Sequence, residues 1–158
     1  MEHHFKKIIF ALRVCLGWLF LYAGLSHAFT TDWSAKGYLL SAMSFHWFYT
    51  WLASPNILPF INALNIWALI LLGFSLISGA FVRLSAPFGM LLMFLYYLPI
   101  LSFPYVGSTS FLVDEHIIFI LVLVLIFEFR AGRFWGFDEW TEHASFWKKY
   151  PALRDVIS

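Results

Sequence analysis

The chain has 158 residues, of which 61% are hydrophobic and 12% charged, with a formal net charge of +1 and a mean hydropathy of +0.78. Soluble domains carry about a quarter charged residues, so this composition belongs in a bilayer, and the near-neutral balance with no basic run gives no case for nucleic acid as a partner. The single cysteine, Cys15, can form neither an internal disulfide nor an iron–sulfur site alone, and reads as a small buried side chain.

Four stretches are long enough to cross roughly 30 Å of hydrocarbon at about 1.5 Å per helical residue: about residues 8–29, 60–82, 86–103 and 111–130. With no water to satisfy peptide groups, each is expected to be an α-helix. The fold expected is therefore an all-α integral membrane protein, a four-transmembrane-helix bundle forming a single domain over residues 1–158. The opening MEHHFKKIIFALRV has the look of a secretory signal. Its apolar run exceeds a typical signal core and three more spans follow, so the first helix is expected to be retained.

Basic residues set the expected orientation. Lys6 and Lys7 precede the first helix, Arg83 lies between the second and third, and Arg130, Arg133, Lys148, Lys149 and Arg154 follow the fourth, whereas the other two connections hold only Lys36. The positive-inside rule then puts both termini in the cytoplasm of a multi-pass cell-membrane protein in contact with lipid.

The outward connection, residues 30–59, is long and rich in aromatic and aliphatic residues. One or two short helices are expected there, either capping the bundle or anchoring it in the outer lipid surface. In the third helix Ser85 is expected as cap with Pro87 in the first turn. Pro99 cannot donate to the Leu95 carbonyl and should kink the helix near Tyr96 and Tyr97. After the fourth helix, Gly132 can end it and Asp138 can cap another over 138–150, with Trp140, Ala144 and Trp147 on one face of an interfacial cytoplasmic helix.

Alternating helix direction gives most polar residues of the spans a common depth. His27, Asn62, Asn65, Tyr96 and the run Asp114-Glu115-His116 all fall at the outer end, with His46 in the connection above them. Ionisable groups in a span usually face the bundle or a cavity. Successive helical residues diverge by about 100°, so His116 with one of the two acids can face inward while the other acid decorates the helix terminus. A solvated collar is the competing reading, and Asn62 and Asn65 equally suit plain interhelical hydrogen bonding. At the inner end Arg13 and Glu128 are expected to pair, since either alone is costly in lipid. His27, His46 and His116 lack HxxxH, ExxH or CxxCH spacing, and neither metal nor haem is expected.

Three motifs carry a family likeness. The stretch ALRVCLGWLFLYAGLSHAF reads R-x3-G-x2-F-x3-G, LLGFSLISGAFVRLSA reads G-x5-G-x3-R, and the chain closes DEHIIF followed by AGRFWGFDEW. In order and spacing this resembles the DoxX/DoxD membrane proteins, with Arg13 and Arg83 at the family's arginines and Asp138 and Trp140 at its closing pair. His27 stands where those proteins often have lysine, and the apolar IWALIL run replaces their second-helix acid. The resemblance implies a four-helix bundle. Through the DoxD branch it implies the membrane subunit of a thiosulfate:quinone oxidoreductase with a partner subunit.

The residues independently permit a quinone. Its two carbonyls need hydrogen-bond donors and, on reduction, protons. His116, Glu115 and Asp114 are the candidates for proton handling, and His27, Asn62, Asn65, Tyr96 and His46 for binding. A non-catalytic subunit or assembly factor of a larger membrane complex is the alternative.

Overall fold

The computed structural model describes residues 2–107 and 110–142. Three helices, α1 (Glu2–Phe29), α4 (Leu58–Ser78) and α5 (Val82–Ile100), are long and apolar enough to cross a membrane. The expected fourth crossing is shorter. Helix α6 (Glu115–Glu128) has 14 residues, about 21 Å of helix. It nevertheless returns the chain to the N-terminal end of the bundle, where the residues that follow it meet the start of α5.

Both boundaries of the α5–α6 connection differ from expectation for a local reason. Leu101–Ser102 (β1), Tyr105–Val106 (β2) and Ser110–Phe111 (β3) form a small antiparallel meander, which takes up residues expected to be helical on either side. Pro99 and Pro104 weaken any helix continuing past Ile100. Helix α6 then starts where a cap exists: Asp114 is extended, and its carboxylate accepts the amides of His116 and Ile117.

Helix α5 also starts earlier than expected, at Val82. Ser85 is not its cap; its hydroxyl bonds to the Val82 carbonyl and to Ser75, and Pro87 lies inside the helix. The cap comes from far along the chain. Asp138 accepts the amides of Phe81 at 2.8 Å and Val82 at 3.2 Å. Asp138 was expected to cap its own helix, but it lies in the first turn of the short α7 (Phe137–Glu142). Trp140 on that helix is exposed, and the remainder of the expected 138–150 helix lies outside the described residues. Gly132 does not end α6, which stops at Glu128 with Arg130 in the left-handed region at φ 47°. A side chain on Gly132 would collide with the Asp138 carboxylate, so glycine there permits a close approach.

Helix α1 packs along α4, and α5 along α6. In lipid such association rests on close packing and hydrogen bonds, and glycine makes it possible here. A Cβ on Gly73 would overlap the Leu21 backbone, while Gly17 and Gly24 face Leu76–Ile77 and Leu69–Ile70. Phe20, Leu76, Met93, Leu123 and Ile126 fill the space between the two pairs. Cys15, expected to be buried, is exposed, because the inward face of α1 runs through Arg13, Leu16 and Phe20.

Arg13 is fully buried, but its partner is not Glu128, which faces outward. Its Nη1 donates to the Ala131 carbonyl at 2.5 Å, and the charge of Asp138 acts on it. The turn after α6 folds back over α1 and supplies both. Arg83 lies over the Phe127 ring at 5.5 Å.

The connection between α1 and α4 holds two short helices, α2 (Lys36–Leu40) and α3 (His46–Leu52), with a small core of Leu39, Ala42, Tyr49 and Ala53 against Ile61 and Leu98. It also deals with Pro99. The Leu95 carbonyl that Pro99 leaves unpaired accepts the Tyr49 hydroxyl at 2.9 Å, Tyr38 donates to the Tyr96 carbonyl, and the Met43 amide donates to Pro99 itself at 2.8 Å. The connector, not a neighbouring long helix, satisfies the proline's lost bonds. Burial pushes the Tyr49 phenol up to about 12, so it stays a donor. Tyr49→Phe should cost about 1–3 kcal/mol by orphaning a buried carbonyl. In a Pro99→Ala background, where the helix regains an amide for Leu95, thermal unfolding should show a smaller cost; equal costs in both backgrounds would contradict this pairing.

Candidate functional site

At the end of the bundle that carries the connector, the long helices and the connector enclose a cavity of about 460 Å³. Helix α1 contributes His27, α4 Asn65, α5 Tyr96, and α6 Glu115 and His116; the connector adds Trp33 and Tyr38. Each position follows from its helix. His27 lies one turn past Gly24, where α1 and α4 touch, and Asn65 one turn before the buried Leu69. Tyr96 lies just ahead of Pro99, and the Asp114 cap puts Glu115 and His116 in the first turn of α6.

Asp114 has two tasks. One carboxylate oxygen takes the α6 amides; the other lies 2.5 Å from His116 Nδ1. That bond fixes the imidazole and leaves Nε2 as its free nitrogen, with the ring edge-on to Tyr96 at 5.9 Å. His27 stacks on Trp33 at 4.1 Å with 17° between the planes. Asn65 Nδ2 donates to the Tyr96 hydroxyl, whose own proton remains available. Burial, helped by neighbouring Tyr49, Tyr96, Asp114 and Glu115, holds the Tyr38 phenol above its ordinary value. It therefore remains the protonated donor that ties the connector to α5.

Two atoms in this wall stand out. His27 Nδ1 and Asn65 Oδ1 are buried and neither makes a hydrogen bond of ordinary geometry, although the two side chains lie close enough to interact with one another. A buried polar group left unpaired costs about 1–3 kcal/mol, and native structures rarely keep one without a use. Both line the same cavity.

Not every expected residue is here. Asn62 does not line the cavity; it accepts the Ala35 amide at 3.0 Å and donates to Ser34 at 3.2 Å, which tethers two connector residues that do. His46 is exposed and its ring bonds to the Ala42 carbonyl at 3.1 Å. Asp114 positions His116 and does not line the wall. Trp33 and Tyr38 were not singled out in the sequence. The connector's aromatic content was visible, but which of its rings turn inward depends on the tethers from Asn62 and the α5 carbonyls. Among the described residues, no three His, Cys, Asp or Glu side chains come together as a metal-holding group.

The wall thus offers imidazole, phenol and amide groups around a slot flanked by flat rings, with Glu115 exposed at its rim. A model of the DoxX family matches residues 8–100. The chain belongs to the DoxX family. The matched region of this DoxX protein holds the glycines that join α1 to α4 and most of the cavity wall, while Glu115 and His116 come from beyond it. No curated protein and no solved structure matches the chain.

Proposed function

We propose that this DoxX membrane protein is a redox subunit that binds a quinone in the connector-end cavity. The observation carrying this reading is the convergence of His27, Asn65, Tyr96 and His116 on one cavity. A quinone, when bound, accepts two electrons and two protons at its two carbonyls. The Tyr96 hydroxyl is a donor for one carbonyl, and His116 Nε2 is a second donor there when the ring is the imidazolium paired with Asp114. The His27 ring is a donor for the other, in the tautomer with hydrogen on Nδ1. Asp114 holds the His116 ring, and exposed Glu115 can exchange protons between water and the site. The Trp33 indole backs the slot.

The orientation belongs to the same proposal. Lys6, Lys7, Arg83, Arg130 and Arg133 cluster at the end opposite the cavity, so that end is cytoplasmic and the cavity opens on the outer side. Helix α6 with the extended chain before it makes the fourth crossing, and both termini lie inside. The electrons come from a partner subunit or a bound reductant, with a sulfur compound such as thiosulfate as the donor by likeness to the DoxD branch.

The test is quinone binding to protein in lipid nanodiscs. His116→Ala should weaken binding about tenfold, since a hydrogen bond to a charged or strongly polarised group is worth about 1.5–3 kcal/mol and each 1.4 kcal/mol is tenfold. A folded variant with wild-type affinity contradicts the assignment. One observation favours a second reading. Met43, Phe45, Trp47 and Trp51 on the connector are exposed, a surface that a partner protein could cover in a non-catalytic or assembly role. Purification in mild detergent with a stoichiometric partner and no bound quinone would favour that reading.

A further inference from the structure

A second cavity, of about 610 Å³, opens along α4 and α5 toward the N-terminal end of the bundle. It exists because α4 packs chiefly on α1 and α5 chiefly on α6, which leaves the seam between α4 and α5 loosely filled. Ala68, Leu72 and Ser75 line it from α4, and Ser85, Gly89 and Leu92 from α5. Its polar atoms are already satisfied. The Ser75 and Ser85 hydroxyls lie 2.7 Å apart, and Ser75 also donates to the Ala80 carbonyl. The groove therefore presents a dry apolar surface with nothing to offer a polar ligand.

The two cavities are in register. Asn65, on the wall of the first, is followed on the same α4 face by Ala68, Leu72 and Ser75 at i+3, i+7 and i+10. On α5, Leu92 lies one turn before Tyr96, which lines the first cavity. From Asn65 to Ser75 the seam runs about 15 Å along the helix. One polar pocket thus lies one helical turn from one apolar groove, an arrangement that suits a ligand with a polar head and a single long tail. The wall of the first cavity identifies which head. Among the described residues it contains Glu115 and neither lysine nor arginine, so a phosphate head group would meet a like charge with no compensating cation from them. A neutral carbonyl-bearing head meets donors.

We propose that the α4–α5 seam holds the prenyl tail of the quinone whose head occupies the connector-end cavity. The ligand is then a long-tailed membrane quinone that enters sideways from the lipid. This inference rests on the quinone reading above and adds the ligand's class and route of entry. Moving a tail from lipid to groove exchanges one apolar medium for another, so the preference comes from shape-matched contacts and is modest in size.

The experiment compares tail-less and prenylated forms of benzoquinone and naphthoquinone, titrated against the whole protein in nanodiscs, with concentrations counted per lipid. The prenylated form should bind the wild type about fivefold more tightly than its tail-less counterpart. Ala68→Phe, which fills the groove at its end nearest the first cavity, should remove that advantage and leave the tail-less form unchanged. Leu84→Trp, at the far end of the groove and remote from the head site, should do the same. If Ala68→Phe weakens both forms, the Leu84→Trp result decides: selective loss of the prenylated form supports the tail site, and no selective loss overturns it. Equal binding of both forms by the wild type overturns the tail site alone. If neither form binds, the quinone reading itself fails and the tail site falls with it.

Discussion

Arg13→Ala is expected to cost the fold roughly 3–5 kcal/mol, the range for breaking a buried charge pair by removing one partner. The guanidinium is fully buried, and everything around it is shaped to receive it. A Cβ on Gly79 or Gly136 would strike its Nη1, Phe10 lies under it at 5.1 Å, and Ala131 takes its hydrogen bond. Its Nε and Nη2 have no hydrogen-bond partner among the described residues, so the cation depends on the field of Asp138 for compensation. Alanine would remove one of the positive charges that face Asp138, orphan the Ala131 carbonyl and leave a void. Asp138→Ala attacks the same knot from the other side and strips the start of α5 of its cap. Denaturant unfolding in detergent should show each single change as severe and the double change as much less than their sum. Full additivity would mean that the two groups act separately.

Asp138 also gives this knot a pH signature. Burial holds its carboxyl above the ordinary value, opposed by the Phe81 and Val82 amides and by Arg13 and Arg133. A carboxyl raised in the folded state takes up its proton more readily there than in the unfolded chain. Stability therefore falls as pH rises from the ordinary carboxylate value through the raised one, and is level above it. Asp138→Asn should flatten that slope.

The second large effect is expected at Asp114, whose two tasks can be separated. Asp114→Ala removes the α6 cap, worth about 0.5–2 kcal/mol, and releases the His116 ring. Asp114→Ser keeps an oxygen able to accept the α6 amides but is too short to reach His116 Nδ1. The serine variant should therefore unfold within about 0.5 kcal/mol of the wild type while binding quinone roughly tenfold less tightly, as the imidazole loses its fixed orientation. If the serine variant keeps both stability and affinity, Asp114 is a cap and nothing more.

The parts legible in the sequence were those set by composition and depth. Long apolar runs located α1, α4 and α5. Helix direction put His27, Asn65, Tyr96, Glu115 and His116 at one end, where they share a cavity. What could not be read is where long-range partners decide. Asp138 looked like the cap of the helix that follows it, because capping is read from neighbours in sequence, yet it caps α5 from 56 residues away. Arg13 looked like a partner for Glu128 because both lay at one depth, but depth does not say which way Glu128 turns. Asn62 and Asn65 share a helix face by spacing; one turn apart, they divide between tethering the connector and lining the cavity. The freed carbonyl at Leu95 was visible from Pro99, whereas its donor, Tyr49, lies 46 residues earlier.

The most direct test of the account is photolabelling with a quinone that carries a photoreactive group on its head, followed by mapping of the labelled peptides. Labels should fall on the connector between Trp33 and Tyr38 and on the segments around Tyr96 and His116, and excess unlabelled quinone should suppress them. Labelling confined to lipid-facing surfaces, or unaffected by competitor, would contradict a quinone site in this cavity.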